Sequence, residues 1–153
     1  MGSGYKMNCP KCSFEFYAST GVGMMFPMVY RETVQKAKNG ELGQEIQTFF
    51  MEHPEGVIDA ESVSLCCEKC GHLTGGKNLT MYVPIAGKPS NLESGKKSYV
   101  SQLDLESYYT KFKAYSHKCD KCGGSMRIMK DGEEFICPKC KLPLERGLPI
   151  LWD

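Results

Sequence analysis

The sequence predicts a small α+β protein dominated by metal: two four-cysteine zinc-binding β-ribbon modules, the first interrupted by a helical hairpin. Three observations predict this class. Eight of the nine cysteines fall in four Cys-x-x-Cys pairs: Cys9/Cys12, Cys67/Cys70, Cys119/Cys122 and Cys137/Cys140. Short runs of alternating apolar residues, the period of a strand, stand beside these pairs. Between the first and second pairs, apolar residues recur at helical spacing over 28–53. Two residues between ligands let one tight turn aim both sulfurs at one metal. Four cysteines are a standard structural zinc set, so four pairs imply two Zn²⁺ sites.

Taken in order, the first knuckle leads into Phe14 and Phe16, which alternate as in a short strand. Gly21-Val-Gly23 lacks the third glycine and following helix of a dinucleotide fingerprint and reads as a turn. Tyr30, Val34 and Ala37 share one helical face; Lys36 and Lys38 suit the C-terminal dipole, and Asn39-Gly40 is a stop. Leu42, Ile46, Phe49 and Phe50 repeat the pattern before Pro54. Strand signals resume at Val63, Leu65 and Cys67 and return at Leu79, Met81, Val83 and Ile85, which places the second knuckle at a ribbon tip. Residues 86–98 are polar and rich in Gly and Pro, a linker. Leu105, Tyr108, Tyr109 and Phe112 predict a helix over 102–114. The segment 147–153 is too apolar for a free tail; Trp152 is expected to pack back or to dock a partner.

Loop lengths bear on which pairs share a metal. Fourteen residues separate Cys122 from Cys137, against 54 between Cys12 and Cys67. Closure entropy favours the shorter loop by only about 1 kcal/mol. Turn chemistry says more: Ser125–Met129 is a short strand, Asp131-Gly132 a turn signal, and Glu134–Cys137 a return leg. That hairpin predicts a site of Cys119, Cys122, Cys137 and Cys140. By elimination, Cys9, Cys12, Cys67 and Cys70 make the other.

The 22 residues Cys-Asp-Lys-Cys-Gly-Gly-Ser-Met-Arg-Ile-Met-Lys-Asp-Gly-Glu-Glu-Phe-Ile-Cys-Pro-Lys-Cys, 119–140, resemble a zinc ribbon, two cysteine knuckles joined by a β-hairpin. Gly123 suits the knuckle, where positive φ is often needed. The layout is similar to ribbons appended to topoisomerases and transcription proteins. The resemblance implies a self-contained ribbon and, as one alternative function, nucleic-acid binding.

These readings set the expected domains. A zinc-binding domain spans 5–86 with its helical insert at about 28–53. A linker and helix occupy 87–116, the C-terminal zinc ribbon 117–146 and the apolar tail 147–153. Met1-Gly-Ser-Gly4 reads as a cloning remnant, with Met7 an alternative start. No run of 18 apolar residues and no apolar leader is present, so the expectation is a cytoplasmic protein with no membrane contact. A reducing compartment favours metal over disulfides for the paired cysteines.

Charge narrows the function. The formal charge is +1, and each filled four-thiolate site adds −2, giving −3 with two metals. That argues against broad nucleic-acid binding, although residues 113–147 hold eight Lys/Arg against five Asp/Glu. Two closed quartets leave no open metal position for water. The sequence also has no Ser-His-Asp arrangement and no Gly-x-Ser-x-Gly, so no enzyme activity is expected. The leading reading is a non-catalytic interaction module for a protein partner. In the nucleic-acid alternative, Arg127 and Lys130 would meet phosphate, with Phe135 and Tyr115 as stacking groups. A further alternative is a rubredoxin-like iron or redox protein, since cysteine knuckles also hold iron. Cys66 should face away from a metal held by Cys67, and His53, His72 and His117 are not needed as ligands.

Overall fold

The computed structural model describes residues 2–88 and 98–152. The elements run β1 (Gly2–Asn8), β2 (Glu15–Thr20), α1 (Phe26–Lys38), α2 (Gln44–Glu52), β3 (Val57–Ile58), β4 (Ser62–Cys67), β5 (Leu73–Lys77), β6 (Met81–Pro84), α3 (Gln102–Tyr108), β7 (Tyr109–Lys113), β8 (Met126–Ile128) and β9 (Glu145–Trp152). The class is α+β, and the described residues form three antiparallel three-stranded sheets ordered β2-β1-β9, β5-β4-β8 and β3-β6-β7. Among the described residues no helix is long and apolar enough to cross a membrane.

Two compact units form, and they differ from the expected division at 86 and 117. The first takes the described residues of 1–24, 61–77 and 116–153 and holds every paired cysteine; the second takes those of 25–60 and 78–115. The helical insert is therefore larger than 28–53 and includes its own sheet. Residues 89–97 of the expected linker lie outside the described residues.

In the first unit, β1 and β2 form a hairpin from Asn8↔Glu15 to Ser3↔Thr20. β9 covers the other edge of β1, from Asn8↔Glu145 to Gly2↔Trp152. The apolar tail, expected to pack back or dock a partner, is thus a strand paired with β1, and the presumed cloning remnant is part of β1. Its glycines are needed there: a Cβ on Gly2 would strike the Trp152 indole, and one on Gly4 the Ala18 carbonyl. Met7, Phe16 and Ala18 bury one face of this sheet with Leu73 and Leu144. In the second sheet Val63, Leu65 and Met126 form another buried cluster. β4 is buried along most of its length because it is the central strand, between β5 and β8.

In the second unit, α1 opens with Pro27 in its first turn, where the missing N–H costs nothing. It ends at Asn39, with Gly40 at φ 85°. Tyr30 and Ala37 of α1, Ile46, Phe49 and Phe50 of α2, and Ile58 and Met81 of the sheet are all buried. The helix expected over 102–114 is shorter. Ser101 and Asp104 cap its start reciprocally, but the chain turns extended at Tyr109. Residues 109–113 instead pair with β6 (Pro84↔Tyr109, Val83↔Thr110, Tyr82↔Lys111). Likewise the strand expected opposite 63–67 is β5, not 79–85, and the latter region supplies β6 of the sheet β3-β6-β7.

Candidate metal centres

All four Cys-x-x-Cys pairs share one local fold. The first cysteine donates its N–H to the carbonyl five residues on: Cys9 to Phe14 (3.0 Å), Cys67 to His72 (2.9 Å), Cys119 to Gly124 (2.8 Å) and Cys137 to Leu142 (2.8 Å). In three knuckles the residue after the second cysteine donates back to the first cysteine's carbonyl, from Gly71, Gly123 and Lys141. These three have φ of 77°, 74° and 62°. Glycine takes that conformation freely, whereas Lys141 takes it with a Cβ.

Because every knuckle closes on itself, long-range strand pairing decides which two meet. β8 does not fold back on 134–137. It pairs with β4 through Leu65↔Ile128, Cys66↔Arg127 and Cys67↔Met126, laying the third knuckle beside the second. The Asp131-Gly132 turn does form, with Gly132 at φ 77°. The chain beyond it, however, closes only its own knuckle, through the bridge Ile136↔Pro143. It then enters β9, whose Glu145 stands opposite Asn8, and this brings the fourth knuckle to the first.

The result corrects the expected partition. Cys9, Cys12, Cys137 and Cys140 form one quartet, and Cys67, Cys70, Cys119 and Cys122 the other, with the sulfurs of each within 4.8 Å of one another. The eight residues are those singled out from the sequence. The sets Cys9/Cys12/Cys67/Cys70 and Cys119/Cys122/Cys137/Cys140 do not occur, and 119–140 does not make a site of its own.

Both quartets fit a metal ion. A tetrahedron with metal–sulfur bonds of about 2.3 Å has edges of about 3.8 Å. The sulfur pairs Cys12–Cys137 and Cys70–Cys119 stand 3.7 Å apart and Cys67–Cys122 3.4 Å. These separations are far longer than a disulfide bond of about 2.05 Å. Cys9, Cys67, Cys119 and Cys137 are buried, and Cys122 is the exposed ligand. Backbone N–H groups aim at the sulfurs: Cys12 at Cys9, Lys69 and Cys70 at Cys67, Lys121 at Cys119, Gly124 at Cys122 and Cys140 at Cys137, all at 3.4 Å.

The electrostatics call for a cation. The Cys70 N–H pulls the Cys67 thiol down to about 6, against burial and with help from the Lys69 N–H. The Cys12 N–H likewise brings Cys9 to about 7. Other members of the same clusters move the opposite way. For Cys70 a backbone hydrogen bond to His72 favours the thiolate, but burial and the sulfurs of Cys122, Cys67 and Cys119 outweigh it and push the thiol up to about 12. Sharing with Cys12, then burial, then Cys9, raise Cys140 to about 12. One thiolate is welcome in each quartet and four repel, so a bound divalent cation removes the conflict.

Cys66 belongs to neither quartet. It lies on the other face of β4 from Cys67 and packs beside the Met7/Phe16 cluster, and burial pushes its thiol up. His72 sits 3.5 Å from Asp120, and His53 packs at a tilt against both Phe49 and Phe112, with centroids at 5.3 and 4.7 Å. The suggested nucleic-acid contacts are largely engaged. Arg127 is ion-paired with Glu133, whose carboxyl is held low by the Lys130 backbone N–H and by Arg127. Phe135 packs on Phe16 at 5.8 Å. Lys130 remains exposed.

A sequence signal for the true partition was present. The two Cys-Pro-Lys-Cys knuckles, 9–12 and 137–140, share one quartet; Cys-Glu-Lys-Cys-Gly and Cys-Asp-Lys-Cys-Gly, 67–71 and 119–123, share the other. Like pairs with like. Each quartet also gains two exposed lysines, Lys11 with Lys139 and Lys69 with Lys121, which offset its charge. Comparison with known proteins finds no match to the chain among family models, curated proteins or solved structures.

Proposed function

We propose that both quartets hold structural Zn²⁺ and that the chain is a non-catalytic module that binds a protein partner. The observation that carries this reading is the closed four-sulfur set at each site. Four cysteines complete the coordination of zinc and leave no position for a reacting water. Cysteine thiolate also suits zinc or iron, and a reducing compartment keeps it available. The metals would supply Coulombic and covalent cross-links to a unit whose sheets have only three strands each. The second unit carries the helices and contributes no ligand, so it is free to present a surface. Zinc-ribbon likeness remains at the level of the single knuckle.

Nucleic-acid binding through 119–140 receives less support, because Arg127 is paired and Phe135 is packed inward. Elemental analysis with thiol counting tests the metal: the expected result is two zinc per chain and colourless protein, whereas red iron-containing protein would sink the assignment. Affinity capture with and without nuclease tests the partner class. Protein retained after nuclease supports the reading; partners lost on nuclease treatment overturn it.

A further inference from the structure

The second unit carries a trough that the metal centres do not explain. Between α1, the end of α2 and β3 lies a hollow of about 490 Å³, floored by Tyr30, Val34, Phe50 and Val57. A second hollow of about 310 Å³ adjoins it, sharing Lys38, Phe50 and Pro54 and ending at Met51. Met51 is 75% exposed. An exposed thioether is an adaptable apolar contact. A compact small molecule would fill one hollow; two in a row match two apolar side chains of one peptide.

The rim carries two cations, Arg31 and Lys38, against one carboxylate, Glu55. Arg31, Gln35 and Lys38 follow one another at i, i+4 and i+7 along α1, beside the apolar stripe of Tyr30 and Val34. Among the described residues no carboxylate pairs with Arg31 or Lys38. Glu55, the acidic residue of the first hollow, lies 3.7 Å from His53. Lys38 Nζ sits over the Phe50 ring at 5.5 Å, which holds the cation at the junction of the two hollows.

We propose that this trough binds an acidic peptide segment. Two apolar side chains of that segment would enter the hollows, and its carboxylates would meet Arg31 and Lys38. The proposal rests on the protein-partner reading above and gives it a location and a partner chemistry. Random dodecamer peptides displayed on phage, panned on the full metal-loaded chain, test it. The expected selection is rich in Asp and Glu around two Leu, Ile, Phe or Met residues. The most enriched synthetic peptide should shift amide resonances over 30–38 and 47–57. Arg31→Glu/Lys38→Glu should weaken it about tenfold or more, and replacing the peptide's acids by lysine should restore binding to that variant. Met51→Glu, at an exposed position, should weaken it without altering metal content. Affinity unchanged by the charge reversal, or a basic consensus, overturns the proposal. Selected peptides whose shifts fall in the metal-binding unit leave the protein-partner reading standing and remove the trough. If no peptide is enriched at all, the trough is removed, and the partner reading then stands or falls on affinity capture.

Discussion

Replacing Cys137 by serine separates the observed partition from the local one. Cys137 is fully buried, with 0% exposure, and belongs with Cys9, Cys12 and Cys140. Serine is a poor zinc ligand, so this quartet should lose its metal, and the content should fall from two per chain to one. Where free zinc stands about a thousandfold above the dissociation constant, losing the site removes about 4 kcal/mol. A small domain has only about 5–15 kcal/mol in all. The first unit should therefore survive marginally, and damage should concentrate where the lost metal joined β1 to the segment entering β9. Cadmium-113 substitution gives the assay, since through-bond correlation from each cysteine Hβ to cadmium reads the partition directly. The wild type should show Cys9, Cys12, Cys137 and Cys140 on one cadmium and Cys67, Cys70, Cys119 and Cys122 on the other. The variant should keep only the second signal, with amide protection lost in β1, β2 and β9 before β4, β5 and β8. If the metal lost is the one seen by Cys119 and Cys122, the strand-pairing argument is wrong.

A fragment of 113–153 should stay unfolded by NMR with excess zinc, because it holds half of each quartet and neither strand partner of β8 and β9; a dispersed, zinc-dependent spectrum refutes this. Zinc uptake near pH 7 should expel at least two protons per chain. Cys70 and Cys140, held at about 12, are protonated without metal and must ionise to bind, so affinity falls as the pH falls. Calorimetry in buffers of different ionisation enthalpy counts the protons, and fewer than two would contradict the electrostatics above. Phe135→Ala should cost about 2–3 kcal/mol in urea unfolding, less than the roughly 3–5 kcal/mol of a core phenylalanine, because Phe135 packs on Phe16 but is only partly buried. A loss below about 0.5 kcal/mol would return Phe135 to the surface.

The ligands were legible in the sequence because Cys-x-x-Cys is a local motif whose chemistry needs no tertiary context. The two N-terminal helices were legible for a similar reason: their apolar faces repeat at 3.6 residues and end in Asn39-Gly40 or before Pro54. Pairing was not legible from turn signals. Asp131-Gly132 made its turn, yet β8 found β4, since a three-residue strand gains more beside a buried central strand than beside 134–137, which runs straight into another knuckle. β1 was missed because Gly2, Ser3 and Gly4 carry no strand propensity; those glycines fit the close approach of Trp152 and Ala18. Helical spacing at Leu105, Tyr108, Tyr109 and Phe112 ran on past Tyr108, where pairing with β6 overrode it.

The first knuckle joins the fourth and the second joins the third, so the two closures are nested like brackets, and nested brackets favour an order of closing. The inner pair, Cys70 to Cys119, encloses 48 residues, while the outer pair, Cys12 to Cys137, encloses 124. Once the inner bracket shuts, the outer one has only the flanking arms of 54 and 14 residues left to bring together, a saving of about 0.5 kcal/mol in loop entropy. During synthesis the inner quartet is also complete as soon as Cys122 emerges, whereas Cys9 and Cys12 must wait for Cys140. Until then the first knuckle is a two-sulfur half-site beside two chemically similar competitors, the second and third knuckles. The local marks that distinguish the right partner from the wrong one are the middle residue, proline in one set and acidic in the other, and the glycine that follows the second cysteine only in the inner set.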